Sequence, residues 1–265
     1  MTVLASGSRG NCTVVSTSSA SVLVDAGLSC RETLKRMKAV GEDPRQLKGI
    51  VISHEHADHI DGLAVLAWKL KIPVYITEAT YAGWRKVVRD KDGHPAILER
   101  REHFAAGKSF SVGDLAITSF TIPHDAADPC GFTFKSAGVK IGIVTDLGYI
   151  PFSVKDNLRA CDGLMIESNH DLEMLRNGPY PWMIKQRVMS RVGHLSNAAL
   201  AQFLEEDYDG SASFLVLAHL SEQNNHPEIA RETAYKALGG SRTLFHSSTL
   251  VLAGQDNPLQ PLCLG

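Results

Sequence analysis

Ser53-His54-Glu55-His56-Ala57-Asp58-His59 follows directly on the apolar run Gly49-Ile50-Val51-Ile52 and precedes a helical pattern that starts near Ile60. Three imidazoles with carboxylate neighbours thus sit on a strand-to-helix loop. Neutral imidazole and carboxylate are the usual ligands of zinc and related divalent ions, and a loop fixed at both ends holds them with little ordering cost. A solvated turn has no need of three histidines in six residues. Asp58 and His59 are adjacent and point differently from His54 and His56, so the four cannot converge on one ion and two neighbouring sites are expected. A pair of divalent ions about 3.5–4 Å apart is a common device for hydrolysing phosphoryl and acyl compounds.

Outward from this loop, short apolar and β-branched runs alternate with helical patterns. Ser21-Val22-Leu23-Val24, Pro73-Val74-Tyr75-Ile76, Leu115-Ala116-Ile117-Thr118, Val139 to Val144, Gly163-Leu164-Met165-Ile166 and Phe214-Leu215-Val216-Leu217 read as strands, with Leu250-Val251-Leu252 a short last one. Ser29 and Glu32 make a capping-box pattern ahead of Leu34, Met37 and Val40. Ile60, Leu63, Ala64, Ala67 and Leu70 mark one face of the helix that leaves the histidine loop. Further helices are predicted over 80–89, 151–159, 182–191, 197–205 and 227–238. Gly113-Asp114 between two apolar runs reads as a hairpin turn, which brings antiparallel pairing into a mixed α/β chain. Without repeats or a Pro/Ser-rich linker, one domain over 1–265 is expected.

Two ions need ligands from later loops. His124 follows the run from Leu115 to Ile122, Asp146 follows Ile141-Gly142-Ile143-Val144-Thr145, and His219 follows Phe214-Leu215-Val216-Leu217-Ala218. Each ends a predicted strand. Ligands at several strand ends gather on one rim of a sheet, where sites tend to be built.

The H-x-H-x-D-H pattern at His54, His56, Asp58 and His59 has further companions in Val24-Asp25-Ala26-Gly27, His124, Thr145-Asp146 and His219. Together they resemble the metallo-β-lactamase-fold hydrolases over nearly the whole chain. The resemblance implies an α/β fold, a four-layer αββα sandwich with two mixed sheets, and a dinuclear site on one edge. Carried over residue by residue, His54, His56 and His124 hold the first metal, Asp58, His59 and His219 the second, and Asp146 bridges. Within the superfamily the chain is most similar to the YycJ/WalJ group, which itself resembles the RNase Z branch. The stretches that carry this are Ser6-Gly7-Ser8-Arg9-Gly10-Asn11, Pro123 to Pro129, Thr145-Asp146-Leu147-Gly148, Glu167-Ser168-Asn169-His170-Asp171, Gly178-Pro179-Tyr180-Pro181-Trp182, Gly193-His194-Leu195-Ser196-Asn197 and His219 to Asn225. Double-stranded DNA exonuclease activity is attributed to members of the group, so the resemblance implies nucleic acid, DNA in particular, as substrate. Arg9 departs from the group's pattern, where a second Ser is expected.

Roles follow from the chemistry and the likeness. A hydroxide held between the two ions is the expected nucleophile, and Asp58 counts as a catalytic group as well as a ligand. Asp25 is expected to orient a ligand imidazole. The Gly-His-Ser/Thr segment of RNase Z-like enzymes implies His194 as proton donor to the leaving oxygen, with Glu167 holding its tautomer; a histidine in a helix-capping loop is the competing reading. Ser8 and Asn11, in a loop of small residues suited to cradle phosphate, and His170, inside a group-specific stretch, are expected to meet substrate. His94, His103, His226 and His246 fall outside the set. The clusters Arg85-Lys86, Arg89 with Lys91, and Arg100-Arg101 are interleaved with Asp90, Asp92, Glu99 and Glu102, which reads as a mixed solvated surface.

Composition narrows the alternatives. With 27 Lys+Arg against 29 Asp+Glu, a net charge of −2 excludes a polybasic scaffold that holds nucleic acid by charge alone. An apolar share of 44% excludes a disordered chain, and no apolar run approaches a membrane span. No basic and apolar leader opens the sequence, so a cytoplasmic protein with no membrane partner is expected. The five cysteines are odd in number and lack a C-x-x-C pair, which disfavours a disulfide framework or thiolate zinc site; each is expected to be a small buried residue. The leading reading is a metal-dependent phosphodiesterase, probed against a thioesterase or lactonase of the same fold and against a non-catalytic metal-stabilised module. The ligands admit zinc, manganese or iron. Oligomeric state is left open.

Overall fold

Nearly continuous apolar runs become strands buried on both faces. In the computed structural model, which describes residues 1–88, 96–240 and 248–264, the chain forms two compact units. The first comprises residues 1–119, 126–130 and 255–263, and the second residues 120–125 and 131–254. Arg89, Asp90, Lys91, Asp92, His94 and His246, and the end of the helix expected over 80–89, lie outside the described residues.

In the first unit, β1 (Thr2–Ala5), β2 (Cys12–Ser16), β3 (Ser21–Val24), β4 (Leu47–Val51), β5 (Val74–Ile76) and β6 (Arg101–His103) lie side by side in that order. β1 to β3 pair antiparallel and β3 to β6 parallel, so the sheet is mixed. α1 (Cys30–Ala39), α2 (Ala57–Ile60), α3 (Leu63–Leu70) and α4 (Glu78–Val87) connect the parallel strands, and their inner faces meet β3 to β5 in a core around Leu23, Ile50, Met37, Leu66 and Trp84. Ser29 Oγ accepts the Glu32 N–H at 3.3 Å, as the cap pattern predicts, while the Glu32 carboxylate accepts from Arg36 Nε at 2.9 Å. β6 escapes an apolar-run reading because Arg101, Glu102 and His103 are all exposed, the charged dressing of an edge strand. β7 (Ser109–Val112) and β8 (Leu115–Thr121) form the expected hairpin, Val112 facing Leu115 across Gly113-Asp114.

The second unit holds β9 (Cys130–Ser136), β10 (Val139–Val144), β11 (Gly163–Glu167), β12 (Phe214–Ala218) and β13 (Thr249–Leu252). β9 and β10 pair antiparallel; β10 to β13 pair parallel. α5 (Phe152–Leu158), α6 (Leu172–Asn177), α7 (Trp182–Val188), α8 (Asn197–Glu206) and α9 (Pro227–Gly240) supply the crossovers. Its core gathers Val144, Leu164, Ile166, Leu200, Phe203, Leu215 and Leu217. No helix among the described residues is long and apolar enough to cross a membrane.

The helix expected to run on from Ile60 is interrupted. Gly62 donates its N–H to the Ala26 carbonyl at 2.8 Å, and a Cβ there would lie 1.9 Å from the Leu28 oxygen, so α2 stops and α3 restarts. Gly27 is tighter still, its absent Cβ 1.7 Å from the Asp58 carbonyl oxygen. That contact presses the segment after β3 onto the histidine loop. Gly27→Ala is therefore expected to cost about 3 kcal/mol in urea unfolding; wild-type stability would mean that the loop yields without cost. Cys12, Cys30, Cys130 and Cys161 are buried and free as expected, but Cys263, on the tail beyond the last strand, is exposed.

Candidate metal centre

Within the first unit the histidine loop is ordered from below by Asp25, which follows β3. Its Oδ1 accepts the Ser53 N–H and its Oδ2 accepts both the Ser53 hydroxyl and His59 Nδ1, each at 2.8 Å. The Ser53 hydroxyl proton being spent on Asp25, its oxygen accepts from His54 Nδ1 at 3.0 Å. One buried carboxylate thus sets two imidazole tautomers, with the lone pair of each on Nε2. The His54 ring lies 4.7 Å from His56 and 4.0 Å from His59, centroid to centroid. Asn11 joins the group: its N–H bonds the Asp58 carbonyl at 2.7 Å and its Nδ2 lies 3.1 Å from Asp58 Oδ2 and 3.0 Å from His59 Nε2. Glu55 turns elsewhere, its Oε1 accepting the Ala127 N–H at 2.8 Å.

The Ser6–Asn11 loop has the backbone donors of Gly7, Arg9, Gly10 and Asn11 committed. Gly7 N–H goes to Asn11 Oδ1, Arg9 N–H to Gln255, and Gly10 N–H to the Gly7 carbonyl. Ser8 is exposed at its tip.

Within the second unit Glu167, at the end of β11 and wholly buried, is the hub. Its Oε2 accepts the N–H groups of Leu147 and Leu195, both at 3.0 Å; its Oε1 accepts His194 Nδ1 at 2.8 Å and His219 Nδ1 at 2.9 Å. Burial alone would raise the Glu167 carboxyl, but the His194 charge and the two imidazole bonds outweigh it and hold the group below its ordinary range. Burial likewise opposes charge on His194, yet the Glu167 charge and hydrogen bond prevail and raise it. Asp146 Oδ1 lies 3.4 Å from His219 Nδ1 and 3.6 Å from His194 Nδ1. Asp146, Glu167, His194 and His219 each offer one atom within 4.8 Å of the others, a set able to hold a cation. His124 donates from Nδ1 to the Gly193 carbonyl at 3.1 Å, so its lone pair too is on Nε2.

Three of these groups stand in left-handed backbone: Asp25 (φ 61°), Asp146 (φ 62°) and His219 (φ 56°), each just past a strand end. For a residue with a Cβ this costs about 1–2 kcal/mol, a cost met at sites where side-chain direction matters. Pattern reading placed Asp146 and His219 at strand ends but had no means to see this turn.

It found Asp25 and Glu167 among the residues that hold the ligand candidates but passed over others. Ser53 was hidden as a plain neighbour of His54. Asn169 donates to the His219 carbonyl at 2.8 Å, and the buried Ser168, Asn197 and Asn225 bond one another, with Ser168 Oγ to Asn197 Oδ1 at 2.7 Å and Asn225 Nδ2 to the Asn169 carbonyl at 3.0 Å. This network ties three of the group-specific stretches together. His170 is buried beside it, its Nδ1 without a hydrogen-bond partner, and burial pushes it down to about 4, so the ring is neutral. Ser53→Ala leaves the His54 Nδ1 proton and an Asp25 oxygen short of a partner and is expected to weaken zinc binding about 10–100-fold by competition with a chromogenic chelator; unchanged affinity would show that Ser53 does not orient the loop.

The family model of the beta-lactamase superfamily domain matches residues 20–220, and the chain belongs to that family. Among relatives, it is 38% identical to exodeoxyribonuclease YycJ of Bacillus anthracis over 236 residues, 89% of this chain and 88% of that one. It is 36% identical to exodeoxyribonuclease WalJ of Streptococcus pneumoniae over 89% of this chain and 87% of the relative. The metallo-beta-lactamase fold protein YhfI of Bacillus subtilis superimposes with a TM-score of 0.68 at 17% identity, over 98% of this chain and 99% of that one. The α/β class with two mixed sheets, expected from the sequence, is the fold of this chain, and the chain is a metal-dependent hydrolase.

Proposed function

We propose that the chain is a dinuclear-metal phosphodiesterase acting on nucleic acid, DNA in the first place, in the cytoplasm as one metallo-β-lactamase-fold domain over 1–265. The observation that carries this reading is that four of the five candidate imidazole ligands place Nδ1 against a protein acceptor. His54 and His59 through Ser53 and Asp25, His124 through Gly193 and His219 through Glu167 all spend Nδ1 on the protein and carry a lone pair on Nε2. Imidazole so ordered, with the carboxylates Asp58 and Asp146, fits zinc, manganese or iron. His54, His56 and His124 would hold one ion, Asp58, His59 and His219 the other, and Asp146 would bridge. Bound there, divalent ions polarise a phosphoryl group and make water acidic enough to ionise near neutral pH.

The chain's own groups do the rest. His194, made more basic by the Glu167 charge and hydrogen bond, holds a proton for the leaving oxygen, which is worth roughly 10²–10⁴-fold. Asp58 directs the attacking water from its own side of the loop. Ser8, exposed at its loop tip, meets a substrate phosphate, while the buried Asn11 and His170 shape the site from beneath. The names of the 38% and 36% identical relatives favour DNA over a thioester or lactone.

The test is elemental analysis of the purified protein joined to turnover of duplex DNA, bis-p-nitrophenyl phosphate, a thioester and a lactone with zinc, manganese and iron. Close to two ions per chain with hydrolysis of the phosphodiesters is expected. Turnover confined to the acyl substrates would replace this reading with the thioesterase one, and two ions with no turnover at all would leave a metal-stabilised binding module.

A further inference from the structure

α7 is turned inside out. Of its seven residues only Lys185 and Val188 are buried, whereas Trp182 is 63% and Met183 79% exposed and Ile184 is exposed beside them. A surface helix ordinarily sends its apolar stripe inward, and an uncovered stripe of large side chains marks a place where something else lies. The exposed side chains do not stop at the helix end. Met189 and Val192 continue them, and Arg191 stacks over Tyr149, 4.5 Å from the ring centroid, with Phe152 73% exposed three residues further on.

Charge identifies the occupant. Between Glu173 and Glu205 the sequence has no acidic residue, yet Arg176, Lys185, Arg187 and Arg191 fall in that interval, in a chain whose net charge is −2. Arg176 pairs with Glu173 at 2.8 Å, Lys185 is buried on the Arg176 carbonyl and Arg187 is held by Asp125, so Arg191, stacked on Tyr149, is the cation set among the exposed rings. Aromatic and Arg side chains also suit a protein interface, but a second copy of this chain laid on the same patch would set Arg191 against its own counterpart. A polyanion with flat apolar faces meets both features at once. Bases stack on exposed rings and a phosphate pairs with Arg191, the combination that binds single strands. Interior bases of a duplex have no free face to give and its end pair has only one, so a surface with several exposed rings is matched by an unpaired strand.

The patch is wired to the candidate catalytic groups of its own unit. His194 donates its N–H to the Val188 carbonyl at 2.9 Å, His124 Nδ1 bonds Gly193, and Asp125, next to His124, holds Arg187 by two bonds of 2.6 and 3.1 Å. A Cβ on Gly148 would come within 2.4 Å of the Arg191 carbonyl carbon, so the glycine lets the 189–192 turn lie against the segment leading to Tyr149. α7 is about 10 Å long, the reach of a few nucleotides. We propose that α7, the 189–192 turn and the Tyr149–Phe152 segment form a platform on which the terminal unpaired nucleotides of a nucleic-acid strand stack while the scissile phosphate enters the metal centre. This rests on the phosphodiesterase reading above and adds to it a preference for frayed or overhanging ends.

The test compares wild type with Trp182→Ala, Trp182→Phe and Arg191→Gln, each metal-loaded, on a duplex with a short single-stranded overhang and on bis-p-nitrophenyl phosphate. Trp182→Ala is expected to lower the polymer-to-small-ester ratio of kcat/KM roughly tenfold or more, through KM, and Trp182→Phe to restore most of it. By fluorescence anisotropy with labelled oligothymidine, Arg191→Gln should lower the slope of log K against log salt by about 0.7. An unchanged ratio and slope, with small-ester turnover present, overturns the platform and leaves the phosphodiesterase reading standing. If wild type hydrolyses neither substrate that reading falls, and the platform is then decided by whether Trp182→Ala weakens oligothymidine binding. Should Trp182→Ala instead turn a dimer into a monomer by sedimentation with oligonucleotide binding intact, the surface joins copies of the chain and the platform is wrong.

Discussion

Asp146→Ala is expected to abolish hydrolysis, with kcat on bis-p-nitrophenyl phosphate down by at least about 1000-fold, some 4 kcal/mol of barrier, and the metal content reduced. The side chain is buried past the end of β10, and one of its oxygens lies within 3.6 Å of two imidazole nitrogens, those of His219 and His194. The nearby Glu167 carboxylate is already taken by two amides and two imidazoles. Its left-handed backbone provides a control. Asp146→Gly relieves the φ of 62° that Ala retains, so the glycine variant should be more stable than the alanine variant by about 1 kcal/mol and equally inactive. Turnover with full metal content in either variant would remove Asp146 from the bridging role and take the proposed centre with it.

Removing Glu167 should have the largest effect on stability. Glu167→Ala strips the partner from four buried donors at once: the N–H groups of Leu147 and Leu195 and the Nδ1 protons of His194 and His219. Leaving the other half of such a buried charged group unpaired costs about 3–5 kcal/mol, which denaturant unfolding would read as a large fall in midpoint with little change in slope. Glu167→Gln keeps the volume but offers an amide where the carboxylate accepted from every side. It is expected to fold better than the alanine variant and still to lose roughly 10²–10⁴-fold in kcat, since His194 loses the charge that raises its basicity and His219 the bond that orients it. If the glutamine variant matched wild type in both measurements, Glu167 would be a bystander to the chemistry.

Much of this centre could be read along the chain. The histidine loop announces itself because metal-binding side chains are dense there, and β3, β4, β5, β10, β11 and β12 do so because strands buried on both faces must be apolar throughout. Position then follows: a polar residue that ends such a run lies at a sheet edge, which is how His124, Asp146 and His219 are found. β6 was missed for the converse reason, an edge strand being free to expose Arg101, Glu102 and His103. The break between α2 and α3 was missed because it depends on Gly62 meeting the backbone of residues 26–28, a contact 34 positions away that leaves no local mark.

What the sequence determined by itself was membership: which residue types stand at strand ends, and hence the class of fold and the chemistry it can support. Tertiary structure alone decided the orientation of those residues. Asp25 reaching Ser53 and His59, Glu167 gathering two imidazoles and two amides, and Asn169 holding His219 are bonds between residues 20 to 52 positions apart. Hydrogen bonds of that span depend on where the backbone returns, and the backbone returns where the apolar core closes, so no periodicity or local pattern encodes them.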